Sequence, residues 1–230
     1  MELQKLVYLL LLLSYLIIPV AISFRSKIPF AFRLRYLLPA VLFSGAIFAM
    51  WDIRFTEFSI WTYNPEYLTG ITLLKIPVEK WLSLLIIPVS GAYIYESLKP
   101  KTEDADAKAN IFVAISLVIF IVLGVLAYVY RKNLFSFFTF FLTAIYLGYT
   151  AFRNRFKKHY QTFYITFLIL LIPFTFVSAF VGALPIIAYS SDQIMNIAIL
   201  GIPLEKFVYL FLMLLISLTI YEYLNERRYY

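Results

Sequence analysis

Cysteine is absent from the 230-residue chain, and histidine occurs once, at His159. Without cysteine there is no disulfide, no iron–sulfur cluster and no thiolate chemistry. A lone histidine argues against di-iron and multi-histidine centres, so no metal site is expected. Glycine is scarce as well. The 7 glycines lie at positions 45, 70, 91, 124, 148, 182 and 201, and no two are spaced G-x-G. That excludes the dinucleotide fingerprint, and a phosphate-binding P-loop is also missing. No cofactor is expected. Charge is sparse too: 14% of residues are charged, against about 25% in soluble domains.

Apolar side chains take the place of charge. They make up 63% of the residues, and the mean hydropathy is +0.85. The chain reads as a polytopic membrane protein whose solvent is the bilayer. Its net charge of +7 reflects cytoplasmic loops rich in Lys and Arg rather than a nucleic-acid partner.

Crossing a hydrocarbon core of about 30 Å takes roughly 20 apolar residues in a helix. Seven runs meet that length: Lys5–Ser23, Ile28–Trp51, Ile76–Tyr95, Ile111–Tyr130, Leu134–Phe152, Thr162–Leu184 and Ile202–Tyr223. The first run reads as a membrane span rather than a signal peptide, because its apolar stretch is too long for an h-region.

A repeat organises these runs. Pro77-Val78-Glu79-Lys80-Trp81 returns as Pro203-Leu204-Glu205-Lys206-Phe207, and each copy opens a run that ends in Tyr-Glu, at Tyr95-Glu96 and Tyr221-Glu222. The same offset carries Tyr63 to Tyr189. Such self-similarity sets the architecture. The expected fold is all-α, with seven transmembrane helices in a 3+1+3 parallel-repeat arrangement. Residues 1–98 form the first three-helix half, 99–133 a loop plus linker helix, and 134–230 the second half. An odd linker helix makes the halves parallel, related by an axis along the membrane normal, with a site between them.

Thirteen of the 20 Lys and Arg residues fall on the side that carries Arg25, Arg35, Lys99, Lys158 and Arg228. That side is expected to be cytoplasmic. The N-terminus is then outside a plasma (inner) membrane and the C-terminus inside. Lys99–Asn110 reads as a soluble cytoplasmic loop.

Glu79 and Glu205 are the first candidates for chemistry. Their plain reading is a helix start, with Pro at the first position and an acid in the first turn. Against that, the pair recurs at one offset with an aromatic residue two positions on, and an ionisable group at membrane depth is by default functional. Asp52, beside Trp51 at the end of helix two, reads as a base or as a loop residue. Trp51, Trp61, Tyr63, Trp81 and Tyr189 read as an interfacial belt or as walls that stabilise a cation. Glu96, Glu222 and His159 read as solvated. Parallel packing is expected to bring Glu79 and Glu205 together in one cleft near the outer side.

The pattern Trp51-Asp52…Phe55-Thr56…Trp61…Asn64-Pro65-Glu66-Tyr67…Gly70-Ile71…Pro77-Val78-Glu79…Ile87-Pro88…Ile94-Tyr95-Glu96 resembles one half of the small integral-membrane lycopene beta-cyclases, built from two homologous halves. The second half resembles the other unit through Leu184-Pro185-Ile186-Ile187, Tyr189 and Ile202-Pro203-Leu204-Glu205. The resemblance implies redox-neutral cyclisation of lycopene-type ends to beta-ionone rings. In that chemistry an acid protonates the terminal double bond, the neighbouring double bond attacks the cation, and a base removes a ring proton. It implies Glu79 and Glu205 as acid and base, Asp52 as an alternative base, and Trp51, Trp61, Tyr63, Trp81 and Tyr189 as the substrate-binding walls. The family has a second acid after the motif glutamate where this chain has Lys80 and Lys206, which are therefore expected to modulate the site. The implied partners are a lipid-soluble polyene, membrane lipids and other carotenoid-pathway enzymes. Two alternatives remain open: a catalytically silent relative that binds carotenoid or a partner subunit, and a small-solute transporter.

Overall fold

The computed structural model describes residues 2–17, 31–99, 106–153 and 156–226. The elements run α1 (Val7–Leu13), α2 (Ala31–Glu57), β1 (Trp61–Tyr63), β2 (Thr72–Leu73), β3 (Ile76–Pro77), α3 (Val78–Leu98), α4 (Asp106–Val129), α5 (Leu134–Phe152), α6 (Tyr160–Ala183), β4 (Ile187–Tyr189), β5 (Ala198–Ile199), β6 (Ile202–Pro203) and α7 (Leu204–Glu226). Among the described residues, α2 to α7 are long and apolar enough to cross a membrane, and a shorter apolar helix covers Val7–Leu16. The rest of the first expected run lies outside the described residues. The fold is that of an all-α polytopic membrane protein, as expected.

Two boundaries differ from the sequence reading. α2 runs on to Glu57, so Asp52 sits inside a helix rather than at its end. Asp106–Asn110, expected in a soluble loop, form the start of α4, and residues 100–105 lie outside the described residues.

The repeat is visible in the hydrogen bonds. β1 and β4 pair antiparallel, Trp61 with Tyr189, Thr62 with Ala188 and Tyr63 with Ile187. Asn64 N–H donates to the Ile186 carbonyl and Ser190 N–H to the Ile60 carbonyl, both at 2.9 Å. This register maps onto itself when the halves are exchanged, so a local two-fold axis passes between Thr62 and Ala188. Each half then makes a tight hairpin, β2 with β3 and β5 with β6. The turn residues have positive φ in both: Leu74 and Lys75 at 51° and 69°, Leu200 and Gly201 at 53° and 75°. Two successive left-handed residues are what a two-residue hairpin turn requires.

The halves interlock. α3 packs on α6 of the other half and α7 packs on α2, while α1 and α5 flank α3 and α7. Close approach at the centre depends on small residues, as is usual between membrane helices. A Cβ at Gly91 of α3 would fall 2.4 Å from Leu214 Cδ1 of α7, so that side chain would have to shift to admit it. Ser44 and Ser217 hydroxyls meet at 2.7 Å across α2 and α7. By contrast α4 leaves Val118, Ile121 and Val125 exposed, the apolar face of a helix that lies against lipid.

Candidate active site between the halves

Beneath the β1–β4 pair lies a cavity of about 70 Å³, space for a few water molecules. Both halves line it. Trp61, Tyr63, Lys80 and Ser83 come from the first, and Ser178, Tyr189, Lys206 and Tyr209 from the second, with Tyr8 and Tyr15 of the N-terminal segment. A second, larger space of about 260 Å³ adjoins it through Ser178, Tyr189 and Lys206.

The two glutamates do not meet there. Both are fully buried, but neither lines the cavity. Glu79 Oε1 accepts from Thr69 N–H at 2.7 Å, and Glu205 Oε1 accepts from Met195 N–H at 2.7 Å. Each folds back over the loop ten residues upstream and ties it to the start of its helix. Glu205 also accepts from Ser136 Oγ of α5 at 2.5 Å. The expected shared glutamate cleft is therefore corrected, and the reason is helical geometry. Adjacent helix residues point about 100° apart. When Glu79 and Glu205 turn to the loops, it is Lys80 and Lys206 that reach the cavity.

Lys80 Nζ lies 3.2 Å from Asp52 Oδ2 and sits over the rings of Tyr209 and Trp61, at 5.0 and 5.6 Å from their centroids. Tyr209 OH donates to Asp52 Oδ1 at 2.9 Å. Asp52 has no exposed surface, so both of its partners are needed to offset desolvation of a charge. Lys206 Nζ lies 5.5 Å from the Tyr189 ring centroid. Among the described residues, no carboxylate lies within ion-pair distance of it.

The aromatic residues divide. Trp61, Tyr63 and Tyr189 line the cavity. The Trp61 ring meets Phe55, Phe135 and Tyr189 edge-on, at 5.4, 5.2 and 6.1 Å. Burial pushes the Tyr63 and Tyr189 hydroxyls well above the usual phenol range, so both stay protonated. Trp51 is one layer back, stacked on Phe48 and tilted against Tyr209. Trp81 faces away, with its Nε1–H donating to the Leu73 carbonyl at 3.1 Å. Neither is a cavity wall.

Tyr209 carries no signal in the repeat, because its equivalent in the first half is Ser83. Its spacing does carry one. It lies three residues after Lys206 and four after Glu205, on the adjoining face of α7.

A second polar cluster occupies the opposite helix ends. Glu96, Glu222 and His159, expected in solvent, are buried at 2%, 3% and 6% exposure. Tyr221 OH of the second half donates to Glu96 of the first at 2.8 Å, and Lys99 Nζ reaches Glu222 at 2.6 Å. Exchange of partners between the halves draws these helix ends inward.

No curated protein and no solved structure matches the chain. A family model described as Lycopene cyclase matches residues 5–98 and 132–224, two segments that correspond to the two halves and leave out α4. The chain belongs to the lycopene cyclase family, membrane proteins of carotenoid biosynthesis.

Proposed function

We propose that this protein closes the linear end of a lycopene-type carotene into a beta-ionone ring, without net oxidation or reduction. The observation that carries this reading is the buried Asp52–Lys80–Tyr209 group, whose Lys80 and Tyr209 line a ring-lined cavity between the halves while Asp52 sits behind them. Cyclisation adds a proton to the terminal double bond. The resulting cation is attacked by the neighbouring double bond, which forms the ring carbon–carbon bond. Loss of a ring proton then restores the double bond. The proton count is unchanged, so one acid–base group that gives and takes back a proton suffices. We assign that role to Asp52 in its protonated form, reached when the proton shared with Lys80 moves onto the buried carboxyl, with Tyr209 and Lys80 as its contacts to the cavity. The faces of Trp61, Tyr63 and Tyr189 lie where a ring cation gains from aromatic quadrupoles. Glu79 and Glu205 hold the roof loops.

The substrate enters from the lipid, and the adjoining space of about 260 Å³ receives the polyene end beside the cavity. The β1–β4 side faces outward and the Glu96–Glu222 side faces the cytoplasm. Labelling of Ala105→Cys from the cytoplasmic side only supports that orientation, and labelling from outside only reverses it. The absence of native cysteine keeps the readout clean.

One observation favours a second reading, a carotenoid-binding relative without turnover: lysines rather than the motif glutamates face the cavity. Expression in a lycopene-accumulating host separates the two. The cyclase reading predicts ring-bearing product of unchanged mass, with one solvent deuterium per ring in D2O. Bound but unchanged lycopene supports the second reading and overturns the first.

A further inference from the structure

We propose that His159, Glu222 and Glu226 form a site for one divalent transition-metal ion of the Zn2+ class, which clips the start of α6 to the end of α7 on the face remote from the cavity. The sequence alone gave no reason to expect a metal, since a single histidine carries little signal. The fold supplies the other two ligands by placing Glu222 and Glu226 one helical turn apart beside it.

The spacing fits. The three ligand atoms all lie within 4.8 Å of one another. His159 Nε2 is 3.3 Å from Glu226 Oε1 and 3.7 Å from Glu222 Oε2. Two ligands held at about 2.1 Å by a tetrahedral ion are separated by about 3.4 Å. These atoms therefore surround a point that an ion can occupy with small rotamer changes.

A second observation points to a ligand. Glu222 Oε2 is buried and has no hydrogen-bond partner, although Glu222 is only 3% exposed. Lys99 occupies the other oxygen, Oε1. A buried carboxylate oxygen left without a donor is costly, and a cation bound there removes the cost.

The imidazole is already oriented for the task. His159 Nδ1 hydrogen-bonds the fully buried Tyr95 hydroxyl at 2.8 Å, which directs Nε2 at the carboxylates. A partner on the far nitrogen is the usual support of a ligating histidine. Access is also present. Glu222 and Glu226 line an open cleft of about 700 Å³ with Arg153 and Lys158. The cleft admits the ion and leaves the fourth coordination position to water. Lys158 already pairs with Glu226 Oε1 at 2.7 Å and would share that carboxylate with the ion. The competing arrangement is a histidine hydrogen-bonded to Glu226, beside Glu222, without metal.

The test uses the full-length protein, purified in detergent, stripped with a chelator and titrated with Zn2+ and separately with Co2+. The proposal expects one ion per chain, a rise in thermal midpoint, and the visible absorption of tetrahedral Co2+. It expects at least a tenfold loss of affinity in His159→Gln and in Glu226→Gln. Glu226 is partly exposed, at 44% for its side chain, so its variant is expected to fold even where a change at Glu222 would not. No ion bound by the wild type overturns the proposal. So does binding that both variants retain. A thermal midpoint that falls in His159→Gln but never responds to metal also overturns the proposal and leaves His159 as a hydrogen-bonded core residue.

Discussion

The two halves differ least where they build the roof and most around Asp52 and Tyr209. Glu79 and Glu205 make the same bond to the same loop position, at 2.7 Å in both. The hairpin turns repeat down to their positive φ values. Yet Asp52 of α2 has Ser178 as its equivalent in α6, and Tyr209 of α7 has Ser83 in α3. Symmetric residues hold the frame and supply part of the cavity wall, and two residues that break the symmetry, Asp52 and Tyr209, set one carboxylate directly behind that wall. A site on a two-fold axis needs such a break, because one end of a polyene offers no matching symmetry.

Asp52→Asn should have the largest effect, since it removes the acid–base group. Positioned acid–base catalysis contributes about 10²–10⁴-fold, and ring formation should fall by at least about 100-fold. Loss of its carboxylate leaves Lys80 buried without a counter-charge, which can unfold the protein. The double variant Asp52→Asn/Lys80→Met separates the two effects: it should fold and remain inactive. Pigment analysis beside a measure of membrane-inserted protein reads both.

Tyr209→Phe comes next. It keeps the ring beside Lys80 and removes the donor to Asp52 Oδ1. A hydrogen bond to a charged group is worth about 1.5–3 kcal/mol, so turnover should drop by roughly tenfold or more with protein level unchanged. Ser83→Ala, at the equivalent position in the other half, should leave turnover within about twofold. Equal losses in the two variants would erase the distinction between the halves.

Glu79→Gln and Glu205→Gln should give the smallest effects on chemistry. Both keep a carbonyl oxygen for the loop N–H but lose the charge, at a cost of about 1 kcal/mol each. Glu205→Gln should cost more, because Ser136 also donates to that carboxylate. Thermal unfolding in detergent measures both. Equal shifts would show that the Ser136 contact adds nothing.

Much of the frame was legible in the sequence. Six of the seven apolar runs are the long helices α2 to α7, part of the first is the shorter helix over Val7–Leu16, and the repeat offset recurs in the matching glutamate–loop bonds. The β1–β4 pair, which joins Trp61 to Tyr189 and Tyr63 to Ile187, was not expected, because three-residue strands carry little pattern. The site was only partly legible. Trp61, Tyr63, Tyr189, Lys80 and Lys206 do line the cavity, but a repeat search favours what is duplicated. It therefore promoted Glu79 and Glu205 to a shared cleft and passed over Tyr209. The burial of Glu96, Glu222 and His159 was out of reach for a different reason. Each looks solvated at a helix end, and only packing of one half against the other brings Tyr221, Lys99 and Tyr95 onto them.

The central claim is that the asymmetric group, not the repeated glutamates, handles the proton. The most direct measurement compares ring formation from lycopene by Asp52→Asn/Lys80→Met, Glu79→Gln and Glu205→Gln, each normalised to folded protein in the membrane. The account predicts no rings from the first and near-normal yield per molecule from the other two. Full activity in the first, with loss of activity in either glutamate variant, would contradict it.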